Sequence, residues 1–297
     1  MAGSDTTPRF EHRKIFVGRA ETHVVEGGAV DAPRTLLFLH GWPEDWSEFE
    51  TLMALATKES RVVAIDLPGV GGSKTALFSG EKRLIARHVM GTIDELGLRN
   101  VTLVGHDAGG MVAYACLRDY GERLASVAIL STVIPGLEPW NEVLRNPYVW
   151  HFAFHALPSL PELLVAGRQA EYFDYFYRAI AAHPERVTPA ARRRYAEAYS
   201  TATALTAGFD WYRALNADAE QNASNHAPVH TPLLYVRGAK ETGAMEQYAR
   251  GFRDAGVVQL TCAVVADSGH FTPEEQPEEV WQHLRAFLGV KRASLLV

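Results

Sequence analysis

Three residues able to carry nucleophilic or acid–base chemistry fall at the ends of apolar runs, in the order aspartate, glutamate, histidine. Asp107 follows "TLVGH", Glu241 follows "LLYVRGAK" and His270 follows "CAVVADSG". Asp107 sits in Gly105-His106-Asp107-Ala108-Gly109, which is G-x-S-x-G with aspartate in the serine position. That motif is a sharp strand-to-helix turn that lifts one side chain above the end of a sheet, and nucleophile, acid, histidine is the chain order of its triad. Each residue alone has a plain structural role open to it. Asp107 would cap a helix starting at Ala108, Glu241 would be an exposed loop charge, and His270 a hydrogen-bonded turn residue. Together, with the elbow glycines and the order, they specify a triad.

A carboxylate at the elbow changes the chemistry. With an ordinary pKa of about 4 it is ionised at neutral pH without help from a base, and the adjoining helix N-terminus favours its charge. Attack on a carbonyl would leave an anhydride, a poor route to ester hydrolysis. Attack on a saturated carbon leaves an alkyl ester on Asp107. Hydrolysis of that ester calls for His270 to activate water while Glu241 orients the imidazole and stabilises its cation. The oxyanion of that step needs two backbone donors, the N–H of Ala108 and, from the loop after "FLHGW", that of Trp42. The substrate therefore carries a strained or good leaving group on an sp³ carbon, as epoxides and alkyl halides do. An epoxide opens to an alkoxide and needs a proton donor; a halide needs only hydrogen bonds.

Each of these groups needs a strand behind it. "TLLFLHG" (Thr35 to Gly41) is an unbroken apolar run ending in glycine, which suits a strand buried on both faces. "RVVAIDLPGVGGS", "VTLVGHD", "LASVAILST", "TPLLYVRG" and "LTCAVVADSGH" repeat that form, and "FEHRKIFV" and "ETHVVEGG" read as strands joined by a turn at Gly18-Arg19. Leu84, Ile85, Val89, Ile93 and Leu96 recur at helical spacing, "AGGMVAYACLRDY" continues as a helix from the elbow, and "EEVWQHLRAFLGV" closes as an amphipathic helix. The alternation predicts an α/β protein with a mostly parallel sheet covered by helices on both faces. Ligands bind beyond the carboxyl ends of such strands, where the three groups converge. Residues 136–225 break the rhythm: no strand-like run, many aromatics from Trp140 to Tyr212, and the pattern of several helices. The organisation expected is a core of residues 10–135 and 226–297, a helical insertion over 136–225, and a loose tail over residues 1–9.

The bulk numbers exclude several classes. The 297 residues are 47% hydrophobic and 22% charged with a net charge of -6, an ordinary globular composition that points to neither nucleic acid nor anionic membrane as partner. No apolar stretch approaches the ~18 residues of a membrane span and no signal peptide is apparent, so a cytoplasmic protein is expected. Cys116 and Cys262 both lie among apolar residues and read as buried reduced thiols. No metal-ligand cluster is evident, and "GVGGS" (Gly69 to Ser73) lacks the spacing of a phosphate loop. No cofactor is expected.

"HGWPEDW" (His40 to Trp46), "DLPGVGGS" (Asp66 to Ser73), "VGHDAGG" (Val104 to Gly110) and "SGHFTPEEQPEEV" (Ser268 to Val280) resemble the epoxide hydrolase group of the α/β-hydrolase fold family, whose aspartate-nucleophile branch also holds haloalkane and fluoroacetate dehalogenases. The resemblance implies an eight-stranded sheet with an inserted helical cap. It explains "GVGGS" as a turn. "FDWYRAL" (Phe209 to Leu215) resembles the cap segment whose tyrosine protonates the opening oxygen, which assigns that role to Tyr212, a phenol protonated at neutral pH. "YVWHFAF" (Tyr148 to Phe154) resembles a bacterial subgroup that pairs a histidine with this tyrosine, here His151. Most of the group uses two tyrosines, so Tyr148, Tyr172 or Tyr175 is the alternative partner. Trp42, Tyr148 and Trp150 are expected at the substrate pocket. Haloalkane dehalogenases usually place tryptophan after the nucleophile and fluoroacetate dehalogenases place arginines there; this chain has Ala108, Gly109, Gly110 and Met111. Some relatives carry the triad acid after the sixth strand, where this chain has Ser131 and Thr132, so Glu241 takes the role, with Asp267 as the second candidate. The function implied is hydrolysis of a small apolar epoxide to a vicinal diol by a monomer or homodimer. The rivals are a dehalogenase with the same triad and a non-catalytic ligand-binding member of the fold.

Overall fold

In the computed structural model the apolar runs become strands because their alternating side chains are buried on two faces at once. The structure describes residues 10–74 and 79–289; the tail expected over residues 1–9 lies outside them. β1 (Glu11–Val17) and β2 (Ala20–Gly27) form an antiparallel hairpin through Gly18 and Arg19, as the sequence predicts. β3 (Thr35–Leu39), β4 (Arg61–Ile65), β5 (Val101–His106), β6 (Ser126–Leu130), β7 (Leu233–Gly238) and β8 (Leu260–Val265) run parallel. The eight-stranded order is β1-β2-β4-β3-β5-β6-β7-β8, with β2 antiparallel to β4. The middle of the sheet is therefore β3 and β5, the two strands whose C-terminal loops carry Trp42 and Asp107.

Period-two alternation divides the core. Leu37 and Leu39 belong to one cluster, while Leu36 and Phe38 belong to the other, with Phe49, Val280 and Leu284. α2 (Lys82–Glu95) and α3 (Asp107–Tyr120) cover the first face; α1 (Glu50–Ala56) and α13 (Pro277–Gly289) cover the second. Complete burial of a side chain such as Phe38 contributes about 1.5–3 kcal/mol relative to exposure.

Between β6 and β7 the chain forms helices alone: α4 (Trp140–Val143), α5 (Trp150–His155), α6 (Leu160–Val165), α7 (Gln169–Ile180), α8 (Pro189–Ala198), α9 (Ala202–Arg213) and α10 (Leu215–Ala223), with one 3-10 turn before α5. Phe173, Phe176, Tyr177 and Phe209 join the first core cluster, so the aromatic richness of this segment serves its packing onto the sheet domain. α11 (Met245–Asp254) and α12 (Thr272–Glu275) complete the elements.

One expectation needs correction. Cys262 is exposed, not buried, because β8 is an edge strand with one face left open, whereas Cys116 is buried in α3. The elbow helix begins at Asp107 itself, with His106 in the capping position, so Asp107 is not the helix cap.

Candidate active site

The elbow at the end of β5 turns too tightly for ordinary residues. Asp107 has φ +46°, in the left-handed region that disfavours a side chain by roughly 1–2 kcal/mol. A β-carbon on Gly105 would lie 2.3 Å from Gly109 O, and one on Gly109 would lie 2.0 Å from Leu39 O. The two motif glycines are thus space requirements that let α3 cross over β3 and β5 at contact distance.

The strained turn delivers the Asp107 carboxylate to a meeting point of three loops. Oδ1 accepts the Trp42 N–H at 3.0 Å. Oδ2 lies 3.5 Å from His270 Nε2, and His270 Nδ1 lies 3.8 Å from Glu241 Oε2. Glu241 is held in turn by the Ser131 hydroxyl and the Gly238 N–H, each donating to Oε1 at 2.8 Å, with Arg237 3.5 Å from Oε2. Ser131 stands after the sixth strand, so that strand end supplies a donor to the acid in place of an acid. Asp267 instead pairs with His183 at 2.8 Å on the surface. Ala108 follows Asp107 in the first turn of α3, where amides lack helical partners.

These contacts fix the charges. Burial opposes ionisation of Asp107, but the hydrogen bond and charge of His270 and the Trp42 N–H outweigh it, and the pKa falls to about 2. Burial likewise opposes the imidazolium, yet Asp107 and Glu241 push His270 up to about 10. Glu241 is lowered: burial works against its charge, and His270, Arg237 and Ser131 prevail. The resting site is an Asp107 carboxylate facing a His270 imidazolium.

Tyr212 on α9 is 8% exposed, and burial, with the charge of Asp107, holds its phenol well above the usual range, hence protonated. His151 on α5 sets its ring 5.8 Å from that of Tyr212, edge to face, and 6.3 Å from Trp42, stacked. Its Nδ1 is buried without a partner, and burial lowers the ring to about 4, so it is neutral. Tyr148 is 74% exposed at the cavity mouth, and Tyr172 is occupied by His155 at 2.7 Å. A cavity of about 500 Å³ brings Asp107, His270, Glu241, Tyr212, His151, Trp42 and Tyr148 together. Trp150, expected at the pocket, does not line it: α5 turns its indole outward to stack on Phe176, which is the lining residue.

Four positioning residues were missed from sequence. The Gly41 N–H donates to Glu48 Oε1 at 2.9 Å, and Glu48 Oε2 is 2.7 Å from His106 Nδ1. His106 Nε2 donates to the His270 carbonyl at 2.9 Å. Buried Glu275 accepts the Gly269 and Phe271 N–H groups, each at 3.1 Å, and those of Ala182 and His183 at 2.8 and 2.9 Å. His155 packs 4.4 Å from the Tyr212 ring. Its signal was present, since His151 and His155 are four apart on one helix and share a face. Donor atoms of Glu44, Glu48 and His106 lie within 4.8 Å of one another. Burial and Glu48 hold Glu44 well above the carboxylate range, and Glu48 and His106 are bound to each other and to the Gly41 and His270 backbone.

Fold and site together define a hydrolase with an aspartate in the nucleophile position. The chain belongs to the alpha/beta hydrolase fold family, whose model matches residues 34–277. It is 27% identical over 285 residues to the soluble epoxide hydrolase of a Corynebacterium species, covering 91% of this chain and 94% of that protein. It is similar to the crystal structure of Cfl2 from Burkholderia cenocepacia, with TM-score 0.84, 33% identity and 95% and 99% of the two chains covered. A fluoroacetate dehalogenase of Burkholderia sp is 30% identical over 174 residues, 56% of each chain. Among the described residues no helix is long and apolar enough to cross a membrane.

Proposed function

We propose that this protein hydrolyses an apolar epoxide to a vicinal diol through an alkyl ester on Asp107, with residues 136–225 serving as the cap that closes over the substrate. The observation that carries this reading is the pairing, in one cavity, of an ionised carboxylate with a protonated phenol, Asp107 and Tyr212. Asp107 attacks the epoxide carbon, the C–O bond breaks, and its electron pair takes a proton from Tyr212. His151, a lining residue with its ring 5.8 Å from that of Tyr212, supports the same oxygen. Forming the ester removes the charge that holds His270 protonated. Its pKa then falls, and the proton it releases restores Tyr212. Neutral His270, oriented by Glu241, takes a proton from water as that water attacks the ester. The N–H groups of Trp42 and Ala108 stabilise the oxyanion. On collapse the ester C–O bond breaks and the departing alkoxide takes the proton left on the water-derived oxygen, which returns Asp107 as a carboxylate and His270 as its cation and releases the diol.

Val143, Val149, Phe152 and Phe176 line the cavity, which favours an apolar substrate. The relative named a soluble epoxide hydrolase supports the same reading along nearly the full chain, whereas the dehalogenase similarity covers about half. The test is the intact mass of His270→Gln after exposure to epoxides and haloalkanes. An adduct equal to the whole epoxide is expected. An adduct short by one hydrogen halide, with none from any epoxide, would make the protein a dehalogenase.

A further inference from the structure

α2 begins with a lysine turned inward, at the junction of the sheet domain and the helical segment. Lys82 and its partner Asp218 on α10 are each 3% exposed. The ammonium has three N–H donors, and three acceptors meet them: Trp211 O at 2.6 Å, Asp218 Oδ2 at 2.9 Å and Gly80 O at 3.3 Å. Asp218 Oδ1 also accepts the Lys82 N–H at 3.0 Å. Trp211 lies in the last turn of α9, where carbonyls lack helical partners, and the next residue is Tyr212. The preceding peptide, Asp210–Trp211, is met by Gly80: a β-carbon there would lie 2.1 Å from Asp210 O and 2.5 Å from Trp211 N.

A buried ion pair is a weak source of stability, since apolar residues of similar volume often serve as well. Its geometry here has a more specific use. We propose that Gly80 and Lys82 form a clamp on the two consecutive peptides that flank Trp211, which sets Tyr212 for ring opening, with Lys82 a positioning residue acting through the Trp211 carbonyl. The inference rests on Tyr212 as proton donor. Ring opening depends on the end of α9, whereas ester hydrolysis depends on His270, Trp42 and Glu241, all carried by the sheet domain. Loss of the clamp therefore slows the first step and spares the second. A purely structural pair, on removal, would lower stability or slow both steps alike.

Single-turnover rapid quench with styrene oxide separates the steps, the ester followed by intact mass and the diol by chromatography. The variant is Lys82→Met/Asp218→Leu, which removes both charges and preserves volume. Its ester should form about tenfold more slowly or worse, given that a misplacement of ~1 Å can cost ~10²-fold, and should break down within about twofold of the parent rate. Ester formation at the parent rate, or equal slowing of both steps, overturns the clamp. If the double variant does not fold, Lys82→Gln, which still donates a hydrogen bond, should slow ester formation by a smaller factor; the parent rate there also overturns it. A parent enzyme that forms no ester with any epoxide overturns the function of Tyr212 itself, and the clamp with it.

Discussion

His106 donates from Nε2 to the backbone carbonyl of His270 at 2.9 Å, so the residue beside Asp107 carries the loop of His270. The spacing between Asp107 and His270 is thereby set through backbone and not only through their weak mutual contact at 3.5 Å. Glu48 completes the link by joining the His106 ring to the Gly41 amide.

Glu48→Ala should therefore lower unfolding free energy by about 2–6 kcal/mol, since the Gly41 amide and the His106 ring each lose a buried hydrogen-bond partner at about 1–3 kcal/mol apiece. Glu48→Gln should lose about 1–3 kcal/mol, since one hydrogen-bond partner is mismatched. Urea titration at pH 7 checks both. The second-step rate should fall in Glu48→Gln while ester formation holds.

Removing the Asp107 charge should release His270 from its raised pKa. In the free enzyme the Asp107 and Glu241 carboxylates push His270 up to about 10 against the effect of burial. In Asp107→Asn, which imitates the neutral ester, the pKa should drop markedly toward the ordinary histidine value. Histidine ring NMR against pH measures it. An unchanged titration would exclude the proposed proton release on esterification.

The same pair gives stability two pH edges. Asp107 is depressed to about 2 from 3.8, so its contribution is complete above 3.8 and is lost as pH falls toward about 2. His270 is raised to about 10 from 6.5, so its contribution is complete below 6.5 and is lost as pH rises toward about 10. Melting temperature should fall more steeply between pH 6.5 and 10 in the parent than in His270→Gln.

Tyr212→Phe should slow epoxide opening by about 10²–10⁴-fold, the usual worth of a general acid. Hydrolysis of a preformed ester should change little. Equal loss in both steps would remove Tyr212 from the role of proton donor.

Asp107→Gly should be more stable than Asp107→Ala by about 1 kcal/mol, because only the alanine retains a β-carbon at φ +46°. Thermal unfolding of the two inactive variants checks the strain directly.

The strands, and the meeting of Asp107, Glu241 and His270 at one cavity, were legible because period and motif are local. Asp107, Glu241 and His270 each follow an apolar run, and a parallel sheet gathers such strand ends on one side. Glu48 and Glu275 were not legible, since a charged residue shows in sequence as solvated surface, and only the fold reveals which amides surround it. Trp150 failed for a related reason. Aromatic identity says that a residue packs, while the helix phase relative to a cavity decides on which side. Cys262 failed because an apolar strand pattern does not reveal that the strand is last in the sheet.

Glu275 accepts hydrogen bonds from the amides of Gly269 and Phe271, on either side of His270, and from those of Ala182 and His183, after the end of α7. A chimaera that exchanged residues 136–225 for a foreign lid would hand this carboxylate two new amides from another backbone. The graft would then perturb ester breakdown even if every triad residue stayed in place. Boundaries that keep Ala182, His183, Tyr212 and Asp218 native would leave the anchorage and the ring-opening residues in place and confine the exchange to substrate preference.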